Sequence, residues 1–292
     1  MIWLGWALAC ALGIGLVDVL SKRALQEFEP WIVGVARLGF ALPALAVPLC
    51  WATRPVLTPT FWGTVAVMLP LEVIAFLCLL KALRVAPLAE TVPFLCLSPL
   101  FTVLASWLIL GERITWLGFL GICAIGAGGY LLYGHELRHG ALGPLRAMAR
   151  SEGTRLMVLV AVLYSVTSAL GKQATLLAGP LIFPGLYVAA LFVSFLLLQW
   201  LGGHRLGEVA RAIGRRPGLL ISIGVLDGLT FLMHSIGVLL APVAYFLGVK
   251  RLSSVVSVVV GGLLFRDRHL RLRVTGVLCM VAGVFLLTLS VS

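Results

Sequence analysis

Lys250 and Arg251 stand side by side inside an apolar stretch, residues 242–265, that contains no acidic side chain. They lie roughly 8 residues into it, about 12 Å of helical rise, too deep for either to reach headgroups easily. A charge at membrane depth costs several kcal/mol unless it meets a partner or a wet cavity, so each is a functional candidate by default. An oxyanion suits the pair: arginine offers a planar two-pronged fork and lysine a compact charge. Neighbours on a helix point about 100° apart, so both reach one cavity only if it is wide or the helix is locally opened. The alternative is an internal salt bridge to Asp227, Glu90 or Glu72.

The carboxylates divide in the same way. Glu72 and Asp227 sit within apolar stretches, with Asp18 near the end of the first stretch, Glu90 near the start of the fourth and Arg37 inside the second. They either supply countercharge to Arg37, Lys250 and Arg251 or bind and release protons, which would couple movement of a substrate to a proton gradient. His234, seven residues after Asp227 and so on nearly the same helix face, could join a relay or touch a substrate. Tyr245, Ser253, Ser254 and Ser257, with Thr91, Ser98, Ser165, Thr167 and Ser168, could line a polar path or simply bond between helices. Of these, Lys250, Arg251, Tyr245, His234 and Ser254 are the candidate substrate-binding set.

His135-Glu136-Leu137-Arg138-His139 fits H-E-x-x-H, which on a helix can hold zinc with the glutamate as base. Gly134, Gly140 and Pro144 surround it, and no third ligand is evident. An enzyme is therefore not expected, nor is a bound metal or cofactor, and there is no ATP-binding motif.

The chain as a whole is 61% hydrophobic and 11% charged over 292 residues, far from the half-apolar, quarter-charged mixture of soluble domains. Apolar runs near the 20 residues needed to cross hydrocarbon recur along it. They fall near 2–20, 31–51, 61–80, 88–109, 115–133, 156–174, 181–201, 218–240, 242–265 and 271–290. The formal charge of +11 does not imply nucleic acid, because Lys and Arg lie mostly between these runs and not on one basic, aromatic-studded surface. All six cysteines lie in apolar runs without C-x-x-C spacing and read as packing residues. No positive leader precedes the first run, which is expected to stay as a helix.

The long polar break, 135–155, splits the ten runs five and five. A shift of 155 aligns Ala86-Pro87 with Ala241-Pro242, Glu72 with Asp227, Glu112-Arg113 with Asp267-Arg268, Gly121 with Gly276 and Gly128 with Gly283. In the first two runs of each half a shift of 150 fits better, setting Lys22 against Lys172 and Arg37 against Tyr187. An odd number of spans per repeat forces opposite orientations on the halves. The breaks after spans one, three, five, seven and nine hold sixteen Lys and Arg, and the other face holds three. The positive-inside rule then predicts a cytoplasmic linker with both termini outside.

Ser98-Pro99-Leu100-Phe101, then Leu110-Gly111-Glu112-Arg113-Ile114-Thr115 with Gly118, Gly121 and Gly128, resembles the drug/metabolite transporter superfamily, EamA type, across essentially the whole chain. That resemblance implies ten helices in two inverted five-helix repeats around a central cavity. The second half departs from the pattern at Ser254, in place of the proline equivalent to Pro99, and at Asp267, in place of the usual glutamate. Val249 through Phe265 resembles the helix of triose-phosphate translocators whose Lys-Arg pair binds substrate phosphate. Family habit keeps both termini cytoplasmic, against the charge count.

The fold expected is an all-α integral membrane protein with repeats at 1–134 and 156–292 joined by a linker at 135–155. The function expected is secondary transport, by alternating access, of small polar metabolites, favouring a phosphate- or carboxylate-bearing substrate. Alternatives are a proton-coupled exporter of amino acids or amphipathic drugs, a flippase for a phosphorylated lipid, and a membrane scaffold that transports nothing. The partners expected are a small-molecule substrate, membrane lipid, protons and a second copy of the chain, in a bacterial inner (cell) membrane.

Overall fold

The computed structural model describes residues 2–52, 55–131, 151–257, 260 and 270–290. These are helical throughout, and each expected apolar run has its counterpart. The first three are α1 (Ile2–Glu27), α2 (Pro30–Ala46), extended by a 3-10 turn Val47–Trp51, and α3 (Pro59–Val85). The fourth is broken into α4 (Leu88–Thr91), a 3-10 stretch Val92–Leu97 and α5 (Ser98–Leu110), and α6 (Trp116–Leu131) is the fifth. The second half follows with α7 (Glu152–Ala178), α8 (Phe183–Leu201), α9 (Leu206–Arg215), α10 (Pro217–Gly237), α11 (Val243–Lys250) and α12 (Leu270–Leu289). Six of these elements are long and apolar enough to cross a membrane unaided, and shorter apolar helices accompany them among the described residues.

Local chemistry sets several ends. The Thr58 hydroxyl accepts from Phe61 N at 3.3 Å to start α3, and Ser151 accepts from Thr154 N at 3.4 Å to start α7, with Glu152 in the first turn. Gly111 (φ 68°) closes α5 in the left-handed region that favours glycine. Arg84 caps the end of α1, where carbonyls lack intrahelical partners, by donating to Leu25 O and, at 2.8 Å, to Phe28 O. Pro87 and Pro242 stand at helix N-caps, where a missing N–H costs nothing, and so do not interrupt a ladder.

The major helix pairings run between halves: α6 with α12, α3 with α7, and α10 with α1 and α2. Exchanging the halves converts α3–α7 into α10–α1, as a twofold relation requires. α6 and α12, the fifth span of each half, cross antiparallel at four glycines. A Cβ on Gly121 would lie 2.8 Å from Gly283 O, and one on Gly128 would lie 2.6 Å from Gly276 O. Such backbone approach is how membrane helices gain dispersion contact where no hydrophobic force separates helix from lipid. Between those contacts Cys279 Sγ donates to Ala124 O at 3.3 Å, joining two positions equivalent under the shift of 155.

The first helix of each half is also pinned in the same way. Lys22 Nζ donates to Ala86 O at 2.9 Å, and Lys172 Nζ donates to Ala241 O at 2.7 Å. Glu112 completes the second pin, accepting from Lys172 at 2.6 Å and from Val243 N at 2.8 Å. These residues, aligned by two different shifts in the sequence, occupy corresponding places at opposite ends of the bundle.

One element was not anticipated. α9 is a short amphipathic helix in the break after span seven, burying Val209 and Ala212 and exposing Arg211 and Arg215. It suits the interface between protein, headgroups and water.

Gly128→Leu should lower stability by about 1–3 kcal/mol through overpacking at the α6–α12 crossing. Gly63→Ala in α3, where an added Cβ meets nothing within 4 Å, should be neutral or stabilising by up to about 1 kcal/mol. Thermal unfolding of the detergent-solubilised variants checks both; equal melting of Gly128→Leu and wild type would contradict the crossing.

Candidate functional site

The two halves enclose a cavity with about 1140 Å³ of empty space, counting its open mouth. Its wall takes Arg37 from α2, Glu72 and Phe76 from α3, Tyr164, Thr167 and Ser168 from α7, and Tyr187 from α8. Asp227, Phe231 and His234 come from α10, and Lys250 and Arg251 from the end of α11. Both charged sets singled out in the sequence therefore meet in one place, with three cations and two carboxylates.

The two adjacent residues line one cavity at the end of a helix. α11 ends at Lys250, Arg251 N still bonds Leu247 O at 3.0 Å, and residues 251–252 form a turn, with Leu252 N bonded to Val249 O at 3.0 Å and Ser254 N to Arg251 O at 3.0 Å, before helix resumes at 253–257. Such interruptions are often found at functional sites. The fourth span is tightened at its equivalent place, Val92–Leu97, and the two irregular segments touch where Arg251 Nε donates to Ser98 Oγ at 2.8 Å. The basic pair thus sits at the crossing of two broken spans.

The expected salt bridges to the pair are not those formed. Asp227 is taken by Arg37, whose Nη2 lies 2.7 Å from Asp227 Oδ1 with both side chains largely buried. Arg37 also lies over the Phe76 ring, 5.5 Å from its centroid. Lys250 Nζ lies 3.3 Å from His234 Nδ1. An ammonium can only donate, so Nδ1 is the acceptor and the ring proton belongs on Nε2. Among the described residues neither Lys250 nor Arg251 has a carboxylate within ion-pair distance. Glu72, half-buried, lies beside Thr167.

Other candidates stand elsewhere. Tyr245 is buried against the α5–α6 junction, its hydroxyl accepting from Thr115 N at 3.0 Å. Ser254 lies behind the wall with Cys96 Sγ at 3.4 Å and donates to Val92 O at 3.4 Å. Asp18 is buried outside the lining and accepts from Ser257 Oγ at 3.4 Å. The Glu90 side chain, the H-E-x-x-H segment, most of the linker, Arg54 and Asp267-Arg268 lie outside the described residues.

The residues that the sequence reading did not nominate are aromatic. Phe183, Tyr187 and Phe231 form a ring cluster with centroids 5.3 to 6.2 Å apart, and Phe231 continues to His234 at 6.2 Å. Tyr164 shares the lining with Arg37, Glu72, Asp227 and Arg251. The pairing of Arg37 with Tyr187 in the repeat alignment was the one signal that pointed to any of them.

Residues 1–134 match the EamA-like transporter family. Members of that family are membrane transporters of small molecules, and the match covers Ser98-Pro99 and Gly111-Glu112, the residues that carry the resemblance. Twenty-nine chains of solved structures match the fold. One of them, a crystal structure of a protein 18% identical in sequence, superposes with a TM-score of 0.68 over 97% of this chain and 96% of its own. At that identity the likeness concerns fold alone, and it covers both halves of the chain. No curated protein matches the sequence.

Asp227→Ala should destabilise the protein by about 3 kcal/mol or more, because it strands a buried guanidinium. Replacing both Arg37 and Asp227 by leucine should restore most of that loss. A double-mutant cycle on thermal or denaturant unfolding measures the coupling, and additive effects would mean that the pair does not act as one unit.

Proposed function

We propose that this chain is a secondary transporter working by alternating access, in which repeats 1–134 and 156–292 rock about the linker 135–155 and expose the central cavity to each side of a cell membrane in turn. Its substrate is a small polar anion bearing a phosphate or carboxylate, bound by Lys250 and Arg251. One observation carries this reading: among the described residues, the two cations of the ninth span line the cavity with only neutral hydrogen-bond partners, His234 and Ser98, while Arg37 occupies Asp227. A cation held at membrane depth without a counterion has its charge met most economically by an anionic ligand.

The cavity supports the class of substrate as well as its charge. Glu72 stands in the same wall, so two charges from the basic pair face one carboxylate, and the surplus favours an anion over a zwitterion or a cationic drug. Lys250 and Arg251 both line this wall at the turn that ends α11, so one oxyanion can draw on both donors.

Glu72 adds proton coupling. It lines the cavity beside Thr167 and has no ion-pair partner among the described residues. It can therefore carry a proton across when the cavity changes sides, with Asp227 held by Arg37.

In proteoliposomes, Lys250→Ala and Arg251→Ala should each lower uptake of phosphorylated or carboxylated compounds about 10- to 100-fold, the effect of losing one or two hydrogen bonds to a charged group. Unaltered uptake by Arg251→Ala, with folding retained, would overturn the anion site. Glu72→Gln should keep downhill uptake yet lose its acceleration by an imposed pH gradient; a preserved response would remove Glu72 from the coupling.

A further inference from the structure

Two buried polar groups in the cavity wall have no protein partner. Arg37 gives Nη2 to Asp227, but its Nε and Nη1 bond to nothing although the side chain is only 9% exposed. The Tyr187 hydroxyl is likewise without a partner in a residue only 2% exposed. Unmet buried donors are uncommon in folded proteins, and each carries a desolvation penalty that an incoming acceptor removes. Both residues line the same cavity as the basic pair. They are also equivalent positions of the two repeats, one from α2 and one from α8, helices that pack against each other.

We propose that Arg37 and Tyr187 form a second polar subsite, which takes an uncharged oxygen group, hydroxyl or carbonyl, of the molecule whose anionic group binds Lys250 and Arg251. The subsite rests on the anion site proposed above and specifies the substrate further. Asp227 already neutralises Arg37, so the free N–H groups there serve as directional donors and not as net positive charge. The ligand group they prefer is therefore a neutral acceptor, not a second full anion. The Tyr187 hydroxyl can donate to the same oxygen or accept from a substrate hydroxyl. Phe183, Tyr187 and Phe231 add stacked apolar ring surface to the same lining. The transported molecule is thus two-ended: one oxyanion, and one oxygen-bearing group held between Arg37 and Tyr187.

Tyr187→Phe tests this with little risk to folding, because it removes only the unpaired hydroxyl. Uptake into proteoliposomes is measured for matched pairs, lactate against propionate and 2-hydroxyethyl phosphate against ethyl phosphate, alongside the melting temperature. Wild type should favour the oxygenated member of each pair by about tenfold or more, since a site built to bond a polar group rejects analogues lacking it. Tyr187→Phe should keep or raise the melting temperature, erase most of that preference and leave the unsubstituted members unchanged. Arg251→Ala should instead depress both members of each pair alike. Absence of preference in wild type, or equal loss of both members in Tyr187→Phe, overturns the subsite. Full uptake by Arg251→Ala with the Tyr187 effect intact would reject the anion site and leave the oxygen subsite standing.

Discussion

The ion pair between Arg37 and Asp227 decides what every other charge in the bundle interior is able to do. It joins the second span of the first half to the third span of the second, across the middle of the protein. In hydrocarbon, a guanidinium without such a partner would be driven toward water or would pull the helix out of register. By meeting each other, these two side chains leave Asp227 unavailable to Lys250 and Arg251. Glu72 has no ion-pair partner of its own among the described residues. The proposed anion site and proton carrier both depend on that one pairing.

Spans four and nine, which meet behind the cavity wall, are not regular helices. In lipid such interrupted backbone could not be left open without substitute partners. Here the substitutes are i to i+3 bonds and side chains: Ser98 for Arg251, and Cys96 and Val92 O for Ser254. The irregular backbone is buried between the halves, where protein replaces the solvent that lipid cannot provide. Irregular backbone and candidate site are consequently in one place, and the proposed rocking of the halves would act directly on the donors of Lys250 and Arg251.

The sequence exposed the charges and the repeat well, because both are written in quantities that survive without coordinates. A charge within an apolar run is costly wherever its helix faces, which is why Lys250, Arg251, Glu72, Asp227, Arg37 and His234 could be nominated before their directions were known. The glycines of α6 and α12 and the Ala-Pro junctions aligned because close backbone approach and helix starts tolerate few alternatives. Direction was another matter. Tyr245 and Ser254 share a span with the basic pair but point into packing, since a helix that is apolar all round carries no amphipathic period from which to read its inner face. The aromatic wall went unseen for the same reason: Phe231 and Phe183 look like any lipid- or core-facing ring. α9 was passed over as a loop because its arginines outweighed its short apolar stripe.

The repeat also constrains how the molecule can work. Lys22 and Lys172 hold the start of the fourth span of their own halves through the carbonyls of Ala86 and Ala241, at opposite ends of the bundle. Each pin ties a first to a fourth helix, and Glu112 of the first half joins the second of them; in the proposed cycle, motion falls to the remaining surfaces between halves. Those surfaces are of two kinds. At the α6–α12 crossing, backbone meets backbone through glycine, a contact of small area that tolerates pivoting but not separation. Around the cavity, α2, α3, α7 and α10 meet through long side chains, ion pairs and rings, which can exchange partners as the gap widens. A fulcrum of glycines on one side and a polar, adjustable seam on the other is the mechanical asymmetry that an alternating cavity requires. In the proposed cycle the ligand supplies the acceptors that the seam itself leaves unmet at Arg37 and Tyr187.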